Sequence, residues 1–346
     1  MSKICILGDT HFGVQNDSPF FLKYSLDYFE KVFFPYLREH NIKTVIHLGD
    51  VFDRRKFINM NTLNKIKTQF LKPFYEEEFK LYCIIGNHDV YFKNTNKINS
   101  LNELLNDKVT VCNEPRVINI HGYDLGFVPW ITQDNNIECL NFIKNVPCEL
   151  LFGHFELLNF EVTRGIKSQE GISSDLFNGF YKVFSGHFHC KQEKNNVLYV
   201  GTPYQLNFSD INEIKGFHVF DLKDKKTEFI ENKNKIFKQL KYNDQKNDML
   251  NINFEQYEGS FVKVIVENKT QPYSFERFME NLNSVYTAGI TVIEESMFEL
   301  SNEELSSESQ DTLSIINREI DHMEDIENKN KLKQIIHELY VESLSN

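Results

Sequence analysis

Five short motifs collect the groups of this chain that could do metal chemistry: Asp9-x-His11, Gly49-Asp50-x-x-Asp53, Gly86-Asn87-His88-Asp89, Gly153-His154 and Gly186-His187-x-His189. Carboxylates from Asp9 and Asp50, an amide oxygen from Asn87 and imidazoles from His11, His154, His187 and His189 form a mixed oxygen and nitrogen donor set. Seven groups exceed what one ion takes. With a single carboxylate bridging, they supply four donors to each of two ions, and ions roughly 3.5–4 Å apart clamp both the attacking and the leaving oxygens of a phosphoryl transfer. Such a pair also holds a hydroxide at neutral pH, which meets the need for a nucleophile where no serine or cysteine with a base beside it stands out. The other histidines, His40, His47, His121, His218, His322 and His337, read as ordinary surface or core residues.

Any one of these motifs arises by chance. Together they share a setting, because each follows an apolar run that a glycine closes. Lys3–Leu7 runs into Gly8-Asp9, residues 44–48 into Gly49-Asp50 and residues 81–85 into Gly86-Asn87. Runs of this length with such flanks predict buried strands. Ser18-Pro19 has the form of a helix start, with apolar residues at helical spacing to about His40, and a second helical stretch spans about 60–78. Strand, helix, strand, helix, strand predicts a parallel sheet with its ligands at the C-terminal strand edge. From residue 109 onward shorter strands are predicted at 109–112, 117–120, 124–129, 150–152, 182–184, 197–200, 217–220 and 228–230, read as a second, mixed sheet packed on the first. The fold class is therefore mixed α/β: a two-sheet sandwich flanked by helices.

The remainder divides as follows. Residues 1–232 are read as the catalytic domain and 233–253, polar and Asn/Lys-rich, as a linker. Residues 254–300 are read as a small βαβ cap. Residues 301–346 form an acidic segment in which Leu313, Ile316, Ile320 and Met323, then Leu332, Ile335, Ile336, Leu339 and Tyr340, mark two amphipathic helices, a helical hairpin suited to docking on a partner.

The net charge of −12 looks wrong for an enzyme of polyanions until it is located. Residues 294–346 hold 14 acids against 4 bases, so residues 1–293 are nearly balanced. Charge neither excludes a nucleic-acid substrate nor announces one. Apolar runs are far shorter than the ~20 residues of a membrane span, and Met1 leads almost directly into a strand without room for a signal peptide, so no membrane and a cytoplasmic location are expected. Six cysteines without a C-x-x-C pair predict reduced core thiols.

The ordered motif set resembles the calcineurin-like metallophosphoesterase superfamily over about residues 1–205. By that resemblance one ion is held by Asp9, His11, Asp50 and His189 and the other by Asp50, Asn87, His154 and His187. His88 is similar to the catalytic histidine that contacts the phosphate and protonates the leaving oxygen, with Asp89 orienting its ring. Asp9-Thr10-His11-Phe12-Gly13, Gly49-Asp50-Val51-Phe52-Asp53, Gly186-His187-Phe188-His189 and Gly201-Thr202-Pro203-Tyr204-Gln205-Leu206 also resemble SbcD-type nuclease subunits of recombination and repair, in particular the T-even-type bacteriophage branch. That likeness implies a DNA nuclease using two divalent ions, Mn2+ foremost, an SbcC-like coiled-coil ATPase as partner and a homodimer. Asp53, grouped with the substrate-side residues, stands where many archaeal and eukaryotic relatives carry His; the basic Arg54, Arg55 and Lys56 that follow it are the expected contact to the DNA backbone, an interaction that carries no sequence information. The alternative is a phosphomonoesterase such as a protein phosphatase, although that group typically has Glu where this chain has Asp89. A scaffold on a degenerate fold is disfavoured by the complete donor set.

Overall fold

A computed structural model describes residues 2–77, 79–105, 109–246 and 252–294. Its centre is a sandwich of two six-stranded sheets. In the first, Lys3–Leu7, Thr44–His47, Lys80–Ile84 and Val109–Cys112 run parallel, and Gly216–Asp221 and Lys226–Glu231 continue the sheet antiparallel beside Lys3–Leu7. In the second, Tyr123–Val128, Leu150–His154, Lys182–Gly186 and Val197–Tyr199 are parallel, with antiparallel edges at Arg116–Ile120 and Gln192–Lys194.

The apolar runs are continuous because both faces of the first sheet are covered. Alternate side chains go to opposite faces: Ile4 and Ile6 meet Phe152, Phe184 and Leu198 of the second sheet, while Cys5 and Leu7 face the helices. On that helical side the chain runs from Pro19–Tyr28, capped by the Ser18 hydroxyl, through a π turn at Phe29–Phe33 into Phe34–Glu39. A second π turn at Ile66–Phe70 brings Phe70 against Phe29, ring centroids 4.5 Å apart. All six cysteines are buried and unpaired.

Three expectations need correction. The strands at 109–112, 217–220 and 228–230 belong to the first sheet, because periodicity reports which face is buried and says nothing of the strand's neighbour. The supposed linker 233–253 contains the strand Phe237–Asn243, paired in parallel with Phe261–Asn268. Its lysines hid the buried Phe237, Leu240 and Tyr242. The cap thus has three parallel strands, Gly289–Glu294 being the third, with the helix Pro272–Asn283 burying Phe278 and Leu282 against them. Short hairpins also went unpredicted, among them Val90–Phe92 with Thr95–Asn99. The acidic segment 301–346, with its two expected helices, lies outside the described residues.

A buried ion pair fastens the chain that crosses from Val197–Tyr199 in the second sheet to Gly216–Asp221 in the first. Lys215 Nζ lies 2.6 Å from Asp210 Oδ1 and donates to the carbonyl of His189 at 2.9 Å, and both side chains are almost fully buried. The other Asp210 oxygen accepts the backbone N–H of Leu206 at 2.7 Å. Removing one partner strands a buried charge, so Lys215→Met is expected to destabilise the fold by about 3–5 kcal/mol, and the double variant Asp210→Asn/Lys215→Met by less. Urea unfolding of the three chains checks this.

Candidate metal centre

The seven central parallel strands of the sandwich that precede Gly8, Leu48, Ile85, Pro129, Phe155, His187 and Val200 deliver their following loops to one sheet edge. Asp9, His11, Asp50 and Asn87 come from the first sheet, and His154, His187 and His189 from the second. The structure brings all seven predicted donors together. Asp9, His11 and His189 form one group whose donor atoms lie within 4.8 Å of one another, and Asp50, His154 and His187 form another. Asp50 Oδ2 faces both, 3.7 Å from His11 Nε2 and 3.4 Å from His154 Nε2. Asn87 Oδ1 lies 2.9 Å from His154 Nε2 and 2.9 Å from His187 Nδ1.

Close approach is possible because of two glycines. Gly49 has φ +104°, in the left-handed region, and a Cβ on Gly86 would stand 2.2 Å from Asp50 Oδ1. Three donors are themselves left-handed: His11 at φ 43°, Asp50 at φ 52° and His187 at φ 89°. Non-glycine residues hold that conformation at a cost of order 1–3 kcal/mol each and do so where function requires it. Hydrogen bonds between motifs hold these backbones. Asp50 Oδ1 accepts the His88 N–H at 2.7 Å and Asp9 Oδ2 the His187 N–H at 2.9 Å.

Asp89 has a different place from the one expected. Its carboxylate accepts the backbone N–H groups of Asp50 at 2.8 Å, Gly86 at 2.9 Å and Val51 at 3.1 Å, clamping the two loops that carry Asp50 and Asn87. The ring of His88 is instead fixed through Nδ1, 2.5 Å from the carbonyl oxygen of Asp53. A carbonyl only accepts, so Nδ1 carries the proton and Nε2 is the atom left for chemistry. The Asp53 carboxylate points at His11, Oδ1 lying 3.3 Å from Nδ1. Arg54 donates to Asn16 Oδ1 at 2.7 Å and lies 3.6 Å from Asp17, so its guanidinium is already engaged; Arg55 is half-buried beside it.

Whether these residues suit cations is decided by their unmet bonding. Asp9 Oδ1 is buried without a hydrogen bond, and His11 Nδ1 has only the Asp53 carboxylate beside it. His11 Nε2 and His189 Nε2 face each other at 3.1 Å, where only one can carry a proton. His154 Nδ1 lies 2.8 Å from the Leu48 carbonyl and must donate to it, so Nε2 is the ring atom that faces Asp50 and Asn87. Charge is crowded as well. Burial and the neighbouring Asp50, opposed by His154, push Asp9 up to about 7, and burial and Asp50 push Asp89 up to about 6. Burial alone would lower His154, but Asp50 and Asp9 outweigh it and raise it to about 9. Lone pairs and negative charge converge where divalent ions would satisfy both; the donor set fits them.

Several further residues support the centre in ways their sequence positions do not reveal. His47 is the core histidine expected, held neutral by burial, which pushes it down to about 3, and its Nε2 lies 3.1 Å from the Thr10 hydroxyl. Tyr204 donates to the Thr10 carbonyl at 2.7 Å, and Gln205 accepts the N–H groups of Ile236 and Phe237, both at 3.1 Å, tying the Asp9 loop to the cap. Their position in the Gly201–Leu206 motif was the available signal. Trp130 follows the strand Tyr123–Val128, and its ring lies 5.0 Å from that of His187.

The calcineurin-like phosphoesterase family pattern matches residues 2–191, more than half of the chain. Exonuclease subunit 1 of Enterobacteria phage T4 is 30% identical over 347 aligned residues, covering 99% of each chain. Among solved structures, a novel archaeal phosphodiesterase is 14% identical, covers 66% of this chain and 99% of its own, and has a TM-score of 0.34. A protein of unknown function from Aquifex aeolicus is 20% identical over 44% of this chain and 80% of its own, with a TM-score of 0.27. Overlaps that low add nothing to the assignment. On the family match and the near full-length relative, this chain belongs to the calcineurin-like phosphoesterase family.

Proposed function

We propose that the chain is a two-metal DNA nuclease, Mn2+ being its foremost cofactor, and the nuclease subunit of an SbcCD-type repair and recombination complex. The observation that carries this reading is the convergence of seven donors from five strand-end motifs in a chain similar over its whole length to a phage exonuclease subunit. Asp9, His11, Asp50 and His189 would hold one ion and Asp50, Asn87, His154 and His187 the other. Bound ions supply Lewis-acid stabilisation of phosphoryl oxygens and lower the pKa of water.

The rest falls to side chains. His88 stands beside the donors, its ring 4.8 Å from that of His11 and its backbone N–H on Asp50. Its Nε2 is the candidate proton donor to the leaving oxygen. Burial lowers the affinity of His88 for a proton, with Asp50 opposing, so the negative charge of a bound phosphodiester is what would favour the imidazolium. Asp89 keeps the Asp50 and Asn87 loops in register. The SbcC-like ATPase as partner, docking of the segment 301–346, a homodimer and location in the host cytoplasm complete the proposal. Among the described residues no helix is long and apolar enough to cross a membrane.

The test is turnover of linear DNA against a phosphorylated peptide by the chelator-treated chain, before and after Mn2+ is restored. Hydrolysis of DNA confined to the metal-loaded chain is expected. Hydrolysis of the phosphopeptide alone would replace this reading with a phosphomonoesterase.

A further inference from the structure

A cavity of about 140 Å3 opens next to the donors, and the proposed function makes no use of it. It is lined by Trp130, Ile131, Phe155 and Ile172, with Asn136 and Glu156 as polar members, and it shares His154 with the metal centre. We propose that this cavity receives the nucleobase of the nucleotide adjoining the scissile phosphate, with Trp130 as its stacking partner. The inference rests on the nuclease reading.

Three features point to a base. Trp130 is the sole tryptophan of the chain, half-buried, with its ring 5.0 Å from that of His187 and 5.7 Å from that of His154. A phosphate seated among these histidines therefore brings its own nucleoside within reach of the indole. The walls are also preorganised. The Trp130 backbone N–H donates to the Ile85 carbonyl at 2.8 Å, at the root of the Asn87 loop, and the Trp130 backbone carbonyl accepts from Asn135 Nδ2 at 3.1 Å. Opposite, Ile172 N–H donates to the Glu156 carbonyl at 2.9 Å, an approach that requires Gly171, whose φ is +109° and where a Cβ would stand 2.4 Å from that oxygen.

The chemistry of the lining also selects. An aromatic wall with aliphatic neighbours and few polar groups accepts a flat, uncharged ring with a polar edge. Glu156, Oε1 4.0 Å from His187 Nε2, is an acceptor suited to the exocyclic amino groups of adenine, cytosine or guanine and repels an acidic peptide. Thymine lacks that donor, so it is the base the cavity favours least.

The experiment uses the full Mn2+-loaded chain and end-labelled single-stranded oligonucleotides in which one abasic residue is walked along the strand. Cleavage with kcat/KM about tenfold lower is expected where the abasic residue adjoins the scissile phosphate. The ratio between natural and abasic substrates should fall to about one in Trp130→Leu and largely persist in Trp130→Phe. A readout free of turnover comes from the fluorescence of the single tryptophan with Mg2+. Deoxyadenosine 5′-monophosphate should quench it saturably, and deoxyribose 5-phosphate should not. Equal cleavage of natural and abasic strands at every position, or equal responses to the two ligands, overturns the cavity assignment and leaves the nuclease reading standing. Failure to cleave either strand removes the nuclease reading, and the fluorescence titration then decides the cavity by itself.

Discussion

Asp50→Ala is expected to lower DNA hydrolysis by more than about 10³-fold and to remove the binding of both cations together, because a carboxylate shared between two ions stabilises the whole cluster. The geometry singles it out. Among the seven donors its Oδ2 faces both His11 and His154, and its Oδ1 holds the backbone of His88. Loss of this one side chain therefore disconnects the two candidate ligand groups from each other and from His88, the proposed proton donor. The variant should still fold, since Asp50 adds to the repulsion that raises Asp9 and Asp89. The measurement is thermal unfolding with and without Mn2+. Ligand binding to the folded state raises its stability by mass action, so the wild-type chain should gain and Asp50→Ala should not. A variant that keeps the Mn2+-dependent gain and the turnover would refute the shared-ligand arrangement.

His88→Asn should separate chemistry from metal binding. Turnover is expected to fall by roughly 10²–10⁴ if the imidazole donates the proton to the leaving oxygen. Metal affinity should persist, for a structural reason: the bond from residue 88 to Asp50 comes from the backbone N–H, which asparagine retains. Calorimetric titration with Mn2+ and single-turnover cleavage on the same preparation report the two quantities. If both ions are lost along with turnover, His88 is a ligand and the assignment of seven donors is incomplete. An Asp89→Asn chain offers a useful contrast, since Asp89 reaches backbone N–H groups of Gly86, Asp50 and Val51 and not the His88 ring; its damage should fall on metal affinity and stability together.

Much of this centre could be read from the chain alone. Each donor motif begins at an apolar run closed by glycine, and strand length with two buried faces leaves a distinct local record: Ile4 and Ile6 turn inward, Cys5 and Leu7 outward, all four apolar. Parallel strands then carry their C-terminal ends to one edge, so residues such as Asp9, Asp50 and His154 are brought together by topology that the order of elements already implies. The strand-end placement of the candidate donors, the predicted strands and the βαβ part of the cap are local facts of this kind.

Tertiary structure alone decided partnership. The strand Gly216–Asp221 has the same apolar look whether it joins one sheet or the other, and only its pairing with Lys3–Leu7 settles the matter. Asp89 follows His88 in sequence, yet its carboxylate is drawn to the backbone donors of the Asp50 loop, because buried N–H groups converging on one carboxylate outweigh adjacency along the chain. The strand Phe237–Asn243 looked like a linker since its pairing partners come later in the chain. Trp130 gained its place beside His187 from the register of three parallel strands, Tyr123–Val128, Leu150–His154 and Lys182–Gly186. Periodicity and composition record how a residue meets its own segment; which distant group satisfies its hydrogen bonds or charge depends on contacts between segments, and those exist only once the sheets have closed on each other.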